Sequence, residues 1–186
     1  MKRELTDVIM LCYQPFSKTY KAIKSILETT TNINLIIVNA KQSCATNRNE
    51  WLNRSISKEF VICDDDIIVR HNWLEEMKKC LKDDVGIVGC KMINQEGKIY
   101  DIPQNLKEGE VYELNGGLLL YKNIGLKADE TYQGSQWEDT DLQWQYKEKG
   151  YKLWSTHNAE FTHDITRQKP NDEANQKIFE SKWGEK

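Results

Sequence analysis

Short apolar runs alternate with amphipathic segments along the first half of the chain. The runs are typical of buried strands and cover residues 8–13, 35–38, 60–63 and 85–90. The segments between them repeat apolar residues at helical spacing over 17–27, 47–56 and 73–81. Strands that alternate with helices favour a mostly parallel sheet with helices on both faces. We therefore predict an α/β fold.

The first predicted helix, over residues 17–27, has a candidate N-cap and one apolar face. Ser17 is a suitable N-cap because its hydroxyl can accept a bond from a free backbone N–H. The apolar residues that follow predict a core-facing stripe of Tyr20, Ile23, Ile26 and Leu27.

The second half of the chain has a less regular pattern. An apolar run over 114–121 contains Gly116 and Gly117, which suggests a strand edge where another group approaches the backbone closely. The remaining signals predict a hairpin turn, a helix ended by Gly150 and two short strands of a small second sheet, at 94–97, 137–149, 151–154 and 159–162.

Composition indicates one compact domain over residues 1–186. The 39% hydrophobic content and six Trp argue against disorder, and the formal net charge of −3 gives no general nucleic-acid-binding signature. The tail, residues 167–186, is polar, and we expect it to pack loosely around Ile178, Phe179 and Trp183.

The cysteines indicate a reducing compartment. There are five, an odd number, and none is in a CxxC spacing, so we predict free thiols and a cytoplasmic protein. The charged N-terminus leads into an apolar run that is too short for a signal peptide or a transmembrane segment.

Three adjacent carboxylates, Asp64, Asp65 and Asp66, directly follow the predicted strand at 60–63. Because like charges repel, a buried strand end is an unfavourable place for them unless a divalent cation neutralises them. The alternative is a solvated acidic loop.

Two further features carry candidate chemistry. Glu138, Asp139 and Asp141 follow Trp137 at the start of the predicted helix, where acids also complement the helix dipole without any catalytic role. His163 ends the last predicted strand. A single histidine is usually structural or exposed, and it suggests a functional site only when a partner group lies beside it.

Taken in order, these features resemble a family 2 glycosyltransferase of the GT-A fold. The resemblance covers roughly residues 7–166 and rests on the segments VIMLCYQ, ATNRN, DDD, NGG, DE, EDTDL, GYK and the final His, at 8–14, 45–49, 64–66, 115–117, 129–130, 138–142, 150–152 and 163. It implies a nucleotide-binding half over 1–90 and a sugar and acceptor half over 91–166.

The resemblance implies a metal-dependent enzyme. Asp66 would bind the metal directly, Asp64 would contact the donor ribose or the metal's water shell, and His163 would complete the site. Carboxylates with an imidazole suit Mn²⁺ somewhat better than Mg²⁺. Asp65 is an alternative direct ligand.

The resemblance also implies roles in sugar transfer. Asp139 would be the base that deprotonates the acceptor hydroxyl in an inverting reaction, and Glu138 would bind sugar or acceptor hydroxyls. Asn115, Gly116 and Gly117 would lie along the donor sugar. Trp137 would stack on a sugar face or, equally well, anchor the helix in the core.

The nucleotide pocket departs from the family pattern. Tyr13 stands where the family lines the uracil pocket, but Asn39 replaces the usual Asp that reads the base, and Gln14 replaces the usual Asn. Arg48 would contact the base or the diphosphate, unless it is a surface residue. A UDP-sugar remains the favoured donor.

Two other classes of protein place acids on an α/β sheet. A nucleotidyltransferase normally needs a Gly-rich basic loop near the N-terminus, and residues 13–16, YQPF, are not one. A sugar-binding module without activity would not need chemically competent residues at every candidate catalytic position. The acceptor stays open.

Overall fold

The computed structural model describes residues 5–13, 16–39, 42–163 and 172–184. Eight strands lie in these ranges: β1 (Thr6–Cys12), β2 (Ile33–Asn39), β3 (Glu59–Asp64), β4 (Ile67–Val69), β5 (Val85–Ile93), β6 (Gly109–Val111), β7 (Leu118–Lys122) and β8 (Lys152–His163). The helices are α1 (Phe16–Thr29), α2 (Cys44–Leu52), α3 (Trp73–Cys80), α4 (Pro103–Leu106), α5 (Glu138–Glu148) and α6 (Asp172–Trp183). Gln14, which stands in place of the usual Asn of the family, lies outside the described residues.

The strands form one sheet in the order β2-β1-β3-β7-β5-β8-β4, with β6 also paired to β8. Strands β1, β2, β3, β5 and β8 run in one direction, while β4, β6 and β7 run in the other. The predicted α/β fold with a mostly parallel sheet is confirmed. Because β7 is antiparallel to its neighbours, it begins at the edge where β3 and β8 end.

The small second sheet is not a separate unit among the described strands. The two short strands predicted at 151–154 and 159–162 are parts of the single strand β8, which pairs with β5 through an irregularity between Cys90 and Lys91. The polar residues Ser155 and Thr156 are fully buried in β8, and this burial cannot be read from a polar stretch of sequence.

Both faces of the sheet are covered. In β1, Val8 and Met10 pack into one apolar layer, while Ile9 and Leu11 pack into the other. Residues of α1 and α3 complete the first layer, and residues of α2 and α5 complete the second. This arrangement explains why the central strands read as continuous apolar runs.

Helix α1 differs from its predicted form. It already begins at Phe16, so Ser17 does not cap it, and Tyr20 and Leu27 are 53% and 56% exposed. The buried face contains Thr19, Ala22 and Ile26. The Thr19 hydroxyl donates to Asp65 over 3.1 Å, a polar contact that a search for apolar spacing does not detect.

The predicted hairpin turn and the predicted helix end at Gly150 are confirmed. Gly97 N–H donates to the Asn94 carbonyl over 3.0 Å, and Gly150 follows α5 with φ +83°. The described part of the tail, 172–184, contains α6, which buries the predicted anchor Phe179 and also Asn175; the rest of the predicted tail lies outside the described residues. Among the described residues, no helix has the length and apolar character needed to cross a membrane.

Candidate active site

Asp64, Asp66 and His163 come together at the edge where β3 and β8 end. Ile67 pairs with His163 in the antiparallel register of β4 and β8, so the two-residue turn after β3 leads directly to the histidine. His163 Nε2 lies 3.1 Å from Asp66 Oδ1 and 3.5 Å from Asp64 Oδ2. One donor atom from each residue falls within 4.8 Å of the others, a cluster that could hold a divalent cation.

The electrostatics of Asp64 fit such a cation. The pKa of Asp64 is raised to about 6, chiefly by loss of surrounding water and also by the neighbouring Asp66 charge, against the opposing effect of His163. Because 39% of the side chain stays accessible, water moderates this effect. A bound cation would oppose both effects, because it favours the charged form of the carboxylate.

Asp65 lies outside this three-residue cluster. Its carboxylate is buried, and Oδ2 accepts hydrogen bonds from Tyr13 N–H over 2.8 Å and from the Thr19 hydroxyl. These bonds tie the end of β1 to the first turn of α1. Their geometry favours Asp66 over Asp65 as the direct metal ligand.

Two glycines lie between the Asp64–Asp66–His163 cluster and Asp139 in the contacts of this site. The Gly117 carbonyl accepts from Asp64 N–H over 3.0 Å, and a Cβ placed on Gly117 would lie 2.9 Å from His163 Nδ1. A Cβ on Gly116 would lie 2.0 Å from Asp139 Oδ2. A side chain at either position would force its neighbour to shift, so the adjacent residues Gly116 and Gly117 contact Asp139 and His163 respectively.

Arg48 and Glu138 form a buried ion pair behind this edge. Arg48 Nη1 lies 3.3 Å from Glu138 Oε1, and both side chains are 4% accessible. Arg48 is therefore not a surface residue. The atoms Arg48 Nε and Nη1 and Glu138 Oε2 are buried without a hydrogen-bond partner, and buried polar atoms in this state often face a ligand site.

Burial governs the titration of this pair. It raises the pKa of Glu138 to about 7, while the Arg48 charge opposes the rise. Burial lowers the pKa of the Arg48 guanidinium, but the carboxylates of Glu138 and Asp139 outweigh burial and raise it. Arg48 therefore stays a cation beside the acids of α5.

The other predicted donor-binding residues are close to this edge or support it. Tyr13 follows β1, and its hydroxyl is held between Cys44 Sγ at 3.2 Å and Asn47 Nδ2 at 3.1 Å. Asn39 is exposed at the end of β2. The half-buried Trp137 packs on Phe179 with ring centroids 5.0 Å apart, which favours the role of a helix anchor.

Amide side chains hold the segment 114–117, and two of them, Gln104 and Gln143, were not predicted from the sequence. Gln143 is fully buried and bonds both the N–H and the carbonyl of Leu114 at 2.8 Å. Asn115 Oδ1 accepts from Gly117 N–H over 3.0 Å, and Gln104 accepts from Asn115 N–H. Buried amides of this kind leave no periodic signal in a sequence.

Comparison with known proteins adds evidence on the fold. No family model matches the chain, and no curated protein matches it by sequence. Solved structures do match. Superposition on TarS of S. aureus gives a TM-score of 0.72 at 11% identity and covers 95% of this chain and 39% of that one.

Two further structures give similar values. A mannosyltransferase of Pyrobaculum calidifontis, in complex with GDP-Man and Mn²⁺, has a TM-score of 0.68 at 14% identity, with 88% of this chain and 57% of that chain covered. GalNAc-T7 with UDP, GalNAc and Mn²⁺ has a TM-score of 0.66 at 10% identity, covering 88% and 44%. The chain thus spans 39% to 57% of the length of these proteins. On this likeness, together with the strand order and the edge site, the chain has the GT-A fold of glycosyltransferases.

Proposed function

We propose that this protein is a family 2-like glycosyltransferase that moves a sugar, with inversion, from a nucleoside diphosphate donor to an acceptor hydroxyl. The observation that carries this proposal is that Asp139 lies against Gly116 while His163, from the Asp64–Asp66–His163 cluster, lies against the adjacent Gly117. Donor, metal and base would then meet at one sheet edge. A UDP-sugar is the favoured donor, and the five free cysteines favour the cytoplasm.

The residues fit a divalent metal, and Mn²⁺ is the ion we propose. Two carboxylates and an imidazole form a suitable donor set. Burial, with a smaller contribution from the neighbouring Asp66 charge, raises the pKa of Asp64, and a bound cation would favour its charged form. Asp66 and His163 would bind the ion directly, with Asp64 beside them. When bound, the ion would neutralise charge on the departing diphosphate.

The protein's own residues supply the rest of the reaction. Asp139 takes the proton from the acceptor hydroxyl as that oxygen attacks the anomeric carbon, and the proton ends on its carboxylate. Direct attack inverts the anomeric centre. Arg48 and Glu138, whose Nε and Oε2 atoms lack a hydrogen-bond partner, would contact the sugar or the phosphates. Tyr13 and Asn39 would contact the nucleobase.

Alanine substitutions at Gly116 and Gly117 should affect different quantities, the first catalysis and the second metal binding. Gly116→Ala forces the Asp139 carboxylate away and should lower kcat at least about tenfold, because small misplacements of a catalytic group are costly. Gly117→Ala displaces His163 and should mainly weaken Mn²⁺ binding. Neither glycine has a left-handed backbone, so the methyl contact itself is tested. Steady-state kinetics and Mn²⁺ titration check this split, and equal effects of both variants on both quantities would contradict it.

Mn²⁺ affinity should fall as the pH drops through about 6. The pKa of Asp64 is raised to about 6, and a metal binds the deprotonated carboxylate, so protons displace it on the acid side. Imidazole protonates over a similar range.

His163→Ala should lower Mn²⁺ affinity at pH 7.5, whereas His71→Ala, at an exposed histidine, should not. Calorimetric titration tests this, and normal Mn²⁺ binding by His163→Ala would leave His163 a structural residue.

A thermal-shift screen tests the proposed donor class. A donor that binds the folded protein raises its melting temperature by mass action. UDP-sugars should raise it in the presence of Mn²⁺ and much less in EDTA, while UMP should have little effect. Stabilisation that is identical with and without metal would contradict a metal-dependent donor site.

A further inference from the structure

The turn that precedes Glu138 has an unusual backbone. Gln136 and Trp137 have positive φ angles of 89° and 68°, and Gly134 has φ 69°. Residues with bulky side chains rarely adopt this conformation, which persists only where the surrounding structure holds it. Helix α5 begins at Glu138, so this turn sets the direction in which the first helical turn carries Asp139.

Asn175 of α6 holds this turn from inside the protein. Its side chain is fully buried. Oδ1 accepts from Gln133 N–H over 3.1 Å, while Nδ2 donates to the carbonyls of Gln133 and Gln136 over 2.8 and 3.0 Å. A single amide thereby bonds both ends of residues 133–136, a satisfied buried network that favours one backbone conformation.

The far end of α6 contacts α5 through Asp141. This carboxylate is fully buried, and its Oδ1 accepts from Trp183 Nε1 over 2.7 Å. Lys182 Nζ lies 2.8 Å from the same oxygen. Between these two attachments, Phe179 is buried against Trp137. Helix α6 therefore fixes the start of α5 at three points.

We infer that α6 is a positioning element for sugar transfer, in which Asn175 and Trp183 hold Asp139 against Gly116. This inference rests on the proposed function. Neither residue is part of the metal cluster or of the Arg48–Glu138 pair, so both act through α5. Loss of either should reduce kcat and leave binding of UDP and Mn²⁺ intact.

Asn175→Ala and Asn175→Asp provide the main test in the full chain. Asp is nearly isosteric and keeps the acceptor for Gln133 N–H, but it loses the amide donor and faces two carbonyls. The probe is whichever nucleotide sugar the wild-type protein hydrolyses in Mn²⁺. Both variants should lower kcat about 10- to 100-fold, with the Kd for UDP and Mn²⁺ within about twofold of wild type. Hydrogen–deuterium exchange over residues 133–140 should become faster, while exchange around Asp64 should not.

Asn123→Ala is the matched control. Asn123 also bonds backbone groups, the Ser57 carbonyl at 2.8 Å and Gly125 N–H at 3.2 Å, but it follows the end of β7 at the opposite edge of the sheet. This variant should lose stability and keep kcat. If Asn175→Ala does not fold, Trp183→Phe keeps an aromatic ring, removes the indole N–H that donates to Asp141 and should still lower kcat.

The readouts separate two kinds of failure. Absence of any donor hydrolysis by the wild-type protein would contradict the proposed function, and exchange would still show whether Asn175 holds the turn. Unchanged exchange over residues 133–140 in both Asn175 variants would overturn the inference. Faster exchange with unchanged kcat would overturn it as well, since α6 would then only stabilise the fold.

Discussion

Replacement of Asp139 by asparagine should lower kcat by about 10²- to 10⁴-fold, the usual contribution of a positioned base. The amide cannot take the acceptor proton, but it is nearly isosteric with the carboxylate. Its oxygen can still accept from Thr140 N–H, as Asp139 Oδ1 does over 2.9 Å. Donor binding should therefore survive, and the loss should appear in kcat, with little change in the UDP Kd measured by calorimetry.

A matched control separates catalysis from helix stabilisation. Glu75 is an exposed acid in the first turn of α3, so Glu75→Gln removes a comparable interaction with a helix dipole. This variant should keep wild-type kcat. Near-normal kcat in Asp139→Asn would contradict the assignment of the base. Retention of the donor's anomeric configuration in the product, determined by NMR, would contradict inversion.

Asp66→Ala should abolish metal-dependent binding of UDP. Asp66 Oδ1 is the carboxylate oxygen nearest His163 Nε2, at 3.1 Å, and removal of a direct ligand should cost more than the 10- to 100-fold typical of residues behind the ligands. Asp64→Ala should weaken binding less severely. Calorimetry with UDP at saturating Mn²⁺ and in EDTA measures both effects.

Asp65→Asn distinguishes the two ligand assignments. The asparagine oxygen can still accept from Tyr13 N–H, which bonds Asp65 at 2.8 Å, so the link between β1 and α1 should largely persist. Metal-dependent UDP affinity should remain close to that of the wild-type protein. Loss of this affinity in Asp65→Asn, together with normal affinity in Asp66→Ala, would reverse the assignment.

Apolar patterning predicted the sheet well because its central strands are covered on both faces. The predicted runs at 60–63 and 85–90 lie within β3 and β5, and the strands extend slightly beyond them. The pattern failed at α1, since its buried face includes Thr19, which is held by a carboxylate. It also failed at β8, where buried Ser155 and Thr156 interrupt the apolar signal.

The acids of α5 show a second limit of sequence reasoning. Glu138, Asp139 and Asp141 all suit a helix N-terminus, and the sequence cannot separate their surroundings. In the structure, Glu138 pairs with Arg48, Asp139 lies against Gly116 and Asp141 is bonded by α6. These three environments depend on contacts between residues distant in sequence. Only the ordered resemblance of motifs singled out Asp139 in advance.

The most direct test of the central claim is product analysis after incubating the purified protein with nucleotide sugars, with and without Mn²⁺. We expect Mn²⁺-dependent release of a nucleoside diphosphate and free sugar, with release lost in Asp139→Asn. Release of a nucleoside monophosphate together with a sugar 1-phosphate would show cleavage between the two phosphates and would indicate nucleotidyl chemistry instead. Tight donor binding with no turnover of any nucleotide sugar would contradict a glycosyltransferase and indicate a binding module.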